Sequence, residues 1–331
     1  MRLKKIIVQN FKELDKMPLN EYLLYLKWVE VNNLKLEPFN FALIDKVKNN
    51  MWLPEKEDDY KKLKPVITYV NTQSNLNIWN TIKTFTSLKQ WKKDVGRNMK
   101  YILHDDVTKK YLGISMLSTD SISLKARDNY IGWNYEQRTF NHSLSNIALC
   151  TTECVEPILA TLMMCDREVL HTWMDKYNDP LFGLTTLLPF DEIDNWHNCG
   201  EHKKYIQLIS SKIVLDEMKK WKAKMYPKVD TKNDRSLFLF VCNKLGLGRI
   251  PVKVYKQNVY FCEIYKKSKD ALSFKSVEAD FIGMPNTFNK NVDSLIELWR
   301  TKYIKKVDVK FYDDLIGKSW KDVRSIYKES V

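Results

Sequence analysis

Trp79, Ile82, Phe85, Leu88 and Trp91 recur every three residues, a spacing that predicts an amphipathic helix whose tryptophans either pack into a core or stack on bases. Met99, Tyr101 and Leu103 then alternate, which predicts a short strand, and His104 to Lys110 predicts the hairpin turn into a second strand at Tyr111 to Ile114. A third strand is expected over Leu144 to Thr151. Pro157 closes it, and Ile158, Leu159, Leu162, Met163, Val169, Leu170 and Trp173 trace one long helix from Ile158 to Tyr177. Asp179-Pro180 breaks that helix, and Leu181 to Leu188 predicts a buried strand. An antiparallel meander therefore leads into a βαβ crossover.

The flanks are less regular. Met1 to Val8 predicts a first strand, too short in apolar length for a secretory signal. A buried helix is expected over Glu21 to Val29, after Pro18 and Asn20, and a second over Asn40 to Asn50, before a solvated stretch at Pro54 to Lys62. From Asp191 to Asn233 the chain turns polar and helical, with Tyr205 to Tyr226 as the main helix. Leu237 to Leu245 predicts an apolar helix stopped by Gly246 and Gly248. Val252 to Tyr255 and Val259 to Cys262 predict a hairpin around Lys256-Gln257-Asn258, and Val292 to Val331 a basic helical tail holding Trp299 and Trp320. The expected division is an N-terminal helical extension over 1–75, an α/β domain over 76–270 with an insertion at about 189–234, and the tail over 271–331.

Composition narrows the classes. A hydrophobic fraction of 44% over 331 residues supports a packed core and argues against wholesale disorder. No run approaches the roughly 20 apolar residues that span a bilayer, so no membrane partner is expected. Cys150, Cys154, Cys165, Cys199, Cys242 and Cys262 are scattered through apolar segments and predict free thiols in a reducing, cytoplasmic compartment. The formal net charge of +13 points to a polyanion, with DNA first among nucleic acids and an anionic cofactor second. A lysine-rich, glycine-poor composition also follows from an AT-rich genome, which leaves a purely compositional origin open.

Candidate chemistry concentrates between Gly96 and Trp133: a Gly-Arg before a strand, an acidic turn, Leu112-Gly113 on the next strand, then Arg127-Asp128 in a turn and Ile131-Gly132-Trp133 entering a further strand. A second block is the helix from Ile158 with Thr185-Thr186 ending the strand beyond it, and a third is Val241 to Arg249. On these residues, roughly Trp79 to Tyr265 resembles the Druantia A-type proteins of bacterial anti-phage systems. More loosely it resembles the Mom DNA-modification proteins of phages and the GNAT acyltransferases. The resemblance implies an α/β fold with a GNAT-like mixed central sheet flanked by helices, carrying the N-terminal extension, the inserted helix and the tail. It also implies a bacterial host cytoplasm, and a transferase that modifies a nucleobase amine. The alternatives are a non-catalytic nucleic-acid-binding protein or a phage structural protein whose terminal extensions meet protein partners.

In such a sheet, Ile147 to Thr152 and Phe182 to Leu187 would splay, and the helix after Pro157 would face an anionic donor. The resemblance puts Thr151 and Thr152 at the cofactor. The usual glycine loop there is replaced by Thr151-Thr152-Glu153-Cys154-Val155-Glu156-Pro157, whose two carboxylates repel a pyrophosphate. An acyl-CoA-like donor is therefore unsupported and the cofactor stays unassigned. Arg127, Asp128 and Glu153 are the candidates to position or deprotonate the amine, and Asn129 and Trp133 to hold the base. Asn243 and Arg249 would contact substrate. The family's helix tyrosine falls at Leu239, and its strand-end glutamate at Thr185. Each candidate has a plainer reading: a surface turn pair, a turn cap, a core tryptophan or a solvated loop acid. His197, Cys199 and His202 match no standard zinc spacing, and Asp191, Glu192 and Asp194 suit a polar loop as well as a cation. Arg249, Lys253, Lys256, Lys266 and Lys267 either track a phosphate backbone or form a solvated face.

Overall fold

Among the described residues of the computed structural model seven strands form: β1 Pro65–Tyr69, β2 Asn98–Asp105, β3 Tyr111–Thr119, β4 Ile147–Cys154, β5 Gly183–Leu188, β6 His197–Gln207 and β7 Val252–Glu263. The helices are α1 Arg2–Lys16, α2 Phe41–Asn49, α3 Glu57–Lys62, α4 Gln73–Thr86, α5 Lys125–Ile131, α6 Pro157–Met163, α7 Arg167–Tyr177, α8 Lys212–Met225, α9 Asp234–Lys244, α10 Ser268–Leu272 and α11 Val292–Lys302. The structure describes residues 2–19, 22, 41–54, 57–86, 96–121, 124–134, 136–137, 146–154, 156–188, 193, 195–208, 212–248, 251–273 and 292–303. The expected helix at 21–29, together with Trp91 and Trp320, lies outside them, apart from Tyr22.

The strands make one mixed sheet in the order β1-β2-β3-β4-β5-β7-β6. Three antiparallel pairs lead from β1 to β4, β4 and β5 are parallel, and β7 then runs antiparallel to both β5 and β6. The meander and crossover read from the sequence are both present. The parallel pair needs a crossover, which α6 and α7 supply. A continuous core includes Trp79 of α4, Leu117 of β3, Leu159 of α6, Trp173 of α7 and Trp299 of α11. A second cluster joins Ile7 and Phe11 of α1, Leu215 and Met218 of α8, and Phe238 and Val241 of α9. A third joins Ile131 and Trp133 to Ile147, Phe261 and Leu272.

Several elements differ from the sequence expectation. Met1 to Val8 is not a strand: α1 runs to Lys16, burying Leu3, Ile7, Phe11 and Leu14 on one side. That three-to-four spacing becomes visible only past Gln9-Asn10. The expected single helix from Ile158 to Tyr177 is two helices, because Asp166 caps α7 by accepting from the Glu168 N–H. Residues 205–207 belong to β6 rather than to a helix, and only Lys212–Met225 is helical there. β6 is polar on both faces, so no period-two apolar signal betrays it. The expected hairpin around Lys256 to Asn258 is one continuous strand of 12 residues, paired with β6 over 252–261 and with β5 from Asn258 to Glu263. Finally, β1 brings residues read as part of a helical extension into the sheet.

Candidate functional site

The Arg127-Asp128 pair sits not in a turn but on α5, with Asp128 in the helix's first turn and both side chains buried. Gly132 does not open a strand either. At φ +92° it is the left-handed residue that closes α5, and its N–H donates to the Asp128 carbonyl. The Arg127 guanidinium is completely enclosed. Its Nε and Nη2 donate to Asp128 Oδ1 at 3.0 and 2.6 Å, and Nη2 also donates to the Ser121 carbonyl at 2.9 Å. Nη1 lies 2.6 Å from Asp120 Oδ2, close enough for an ion pair but off the line of a hydrogen bond. The Trp133 ring stacks 5.4 Å from the guanidinium carbon, and its indole N–H donates to the Leu272 carbonyl at 2.6 Å. Burial alone would lower the Arg127 pKa, but the charges of Asp120 and Asp128 more than offset it and hold the group cationic. This is an interior ion triad that pins α5 to the strand ends. Asn129, on the same helix, is exposed.

Facing partners across a sheet share a face, so the register shows how the remaining candidates are arranged. Leu149, Thr185 and Phe261 stand in one row across β4, β5 and β7. Counting in twos along β4 and β7 puts Thr151, Glu153 and Tyr255 on that same face. The ladder between β4 and β5 ends at Cys150 and Thr186, whereas β4 continues to Cys154 against β3 and β5 to Leu188 against β7. β7 itself runs on past Asn258, the partner of Leu188, to Val252. The expected divergence of β4 and β5 is thus present. Beyond it, Glu153 on β4 and Tyr255 on β7 flank the place where β5 stops. Burial first, and the Glu153 carboxylate second, raise the Tyr255 hydroxyl above the ordinary tyrosine range. On the opposite face of β4, the Thr152 hydroxyl is buried with no hydrogen-bond partner among the described residues.

The candidates therefore fall in separate places. Ile131 and Trp133 of the triad region pack over Ile147 and Phe261. Glu153 lies six residues further along β4, roughly 20 Å away. Arg127 and Asp128 do not reach Glu153, and one active site cannot use all three. Asn243 is exposed at the end of α9, in the separate cluster with α1 and α8. Leu239 faces solvent on α9, so the position where the family's tyrosine was expected addresses no site. Arg249 lies outside the described residues, as do Asp191, Glu192 and Asp194. His197 and His202 face Phe261 and Gln257, four residues apart on β7 and about 13 Å from each other. Burial raises the Cys199 thiol between them to about 12, so it remains protonated. No metal-ligand cluster occurs among the described residues. All six cysteines are free.

Two groups escaped the sequence reading. Tyr255 was hidden inside the expected hairpin, and Glu156 was read only as one of two carboxylates repelling a pyrophosphate. Glu156 is buried at the N-cap of α6, where its Oε2 accepts from the Trp299 indole N–H at 3.4 Å and Tyr60 lies beside it. Burial pushes its pKa up to about 8, against the opposing hydrogen bonds from Trp299 and Tyr60. A neutral carboxyl without a cation, followed by Pro157 with no N–H to offer, leaves little for a pyrophosphate at that helix start. The lysines are also committed in part: Lys253 Nζ donates to the Asp15 carbonyl in the last turn of α1 and to the Met17 carbonyl just past it, and Lys256 pairs with Glu201.

No described helix is long and apolar enough to cross a membrane. Residues 30–185, which span β1 to β5 with the triad and Glu153, match the family model described as Druantia protein DruA. Neither the curated proteins nor the solved structures yielded a match. Over residues 30–185, a little under half of the chain, the protein is similar to the Druantia A-like family of anti-phage defence.

Proposed function

We propose that this chain works in anti-phage defence by binding nucleic acid, without coenzyme A chemistry. The observation that supports it is the sorting of charge. The buried charged residues among those described are Asp105, Asp120, Asp128, Glu156 and Asp166 against Arg127 alone, and no lysine is buried. Among the described residues acids are preferentially taken inside, so the surface those residues present is more basic than their own sequence charge. Such a surface attracts polyanions. Binding to phage or plasmid DNA is expected to weaken steeply with salt, each neutralised phosphate contributing roughly a threefold loss for a fourfold rise in salt. Filter binding over a salt series checks this, and no retention at the lowest salt would remove the reading.

A second reading draws on Glu153 and Tyr255 at the end of β5. It follows the Mom-type resemblance to transfer of a small group onto a nucleobase amine. Glu153 would accept the amine proton and the Tyr255 hydroxyl would donate one to the leaving group. A coenzyme A pyrophosphate does not fit the α6 start, so no step is routed through it. Nucleosides from DNA co-expressed with the protein, analysed by mass spectrometry, separate the two. The binding reading expects an unaltered profile. A modified nucleoside that disappears in Glu153→Gln would establish the transferase instead.

A further inference from the structure

β6 and β7 extend together beyond the end of β5 as a two-stranded ribbon, and one face of that ribbon is open. Tyr205 faces Val254, and Lys203 faces Lys256. Tyr205 is 64% exposed, Val254 42% and Val252 41%, and the exposed residues of β7 alternate at 252, 254 and 256. The opposite face is occupied: Ile206 packs into the cluster of α1, α8 and α9, and Lys253 holds the end of α1. The open face is therefore flat and one-sided, with an aromatic ring about 7 Å along the strand from a pair of cations.

We infer that this face binds single-stranded nucleic acid, with a base stacked on Tyr205 and phosphates held by Lys203 and Lys256. The inference rests on the nucleic-acid reading above and names the form bound and the surface that binds it. Three features select the occupant. Two like charges directly opposite each other are unfavourable in a sheet unless an anion lies near them. Glu201 supplies part of that anion now, at 3.3 Å from Lys203 and 3.1 Å from Lys256. A protein partner would need an apolar centre, whereas one tyrosine and two valines beside two lysines offer little of one. An unstacked base needs only an exposed aromatic ring with cations near it, and an open sheet face provides that.

Fluorescence anisotropy with labelled oligothymidylate and a duplex control tests the assignment. Tyr205→Ala is expected to weaken oligothymidylate binding roughly tenfold, while Tyr205→Phe retains it. Lys203→Gln with Lys256→Gln should lower the slope of log affinity against log salt by about 1.4. Glu201→Gln should strengthen binding by releasing both cations. Wild-type protein that binds nucleic acid with no dependence on Tyr205, or that prefers the duplex, overturns this inference and leaves the broader reading standing. Wild-type protein that binds neither probe overturns both.

Discussion

Replacing Arg127 by alanine should cost about 3–5 kcal/mol of stability, the range for removing one member of a buried ion cluster. The reason is what remains behind. Asp120 and Asp128 are as enclosed as the guanidinium, and without it two carboxylates would share an interior space with no counter-charge. The helix also loses the bond from Nη2 to the Ser121 carbonyl and the ring contact with Trp133. Urea unfolding of wild type and Arg127→Ala measures the difference. A cost below about 1 kcal/mol would mean that the pair behaves as a surface ion pair. Nucleic-acid affinity per folded molecule should stay unchanged, because no part of the triad faces solvent. If affinity falls while the variant remains folded, the triad is part of a binding site.

The triad also shows what a sequence does and does not disclose. Its residues stood out because an adjacent Arg-Asp near Gly-Trp serves no ordinary apolar pattern. Nothing local said whether they face water or the core, since a seven-residue helix is too short to display a period. The meander and crossover were legible because β2, β3, β4 and β5 are flanked by clear turn residues and bury long apolar runs. β6 was not, because an edge strand with solvent on one face and charges along it carries a helix-like composition. The cost was specific. Reading Tyr205 into a helix and splitting β7 hid the ribbon and separated Tyr255 from the end of β4. Glu153 was legible as the acid ending a central strand. Glu156, three residues on, was not, because its cover comes from far along the chain, from Tyr60 of α3 and from α11 folding back from residue 292 onward.

Glu156 gives the protein a stability that should fall as pH rises from about 4.5 to about 8. In the unfolded chain this carboxyl ionises at its ordinary value near 4.5, whereas in the fold burial holds the proton until about pH 8. Between those values the folded state binds one proton more than the unfolded state, so ∂ΔG/∂pH is negative. Below 4.5 both states are protonated and the residue costs nothing by this route. Above 8 both are ionised and the full penalty, roughly 4–5 kcal/mol at 1.36 kcal/mol per pKa unit, is in place. Glu156→Gln keeps the shape and an oxygen that can accept from the Trp299 N–H, but it cannot ionise. The variant should match wild type near pH 4.5 and exceed it by several kcal/mol at pH 8.5. Other groups also change their ionisation on folding, His104 among them with its pKa lowered by burial. The informative quantity is therefore the difference between the two urea-stability profiles, in which the shared groups cancel. A difference that stays flat across the range would mean that Glu156 is solvated in the native protein and that α11 does not seal it.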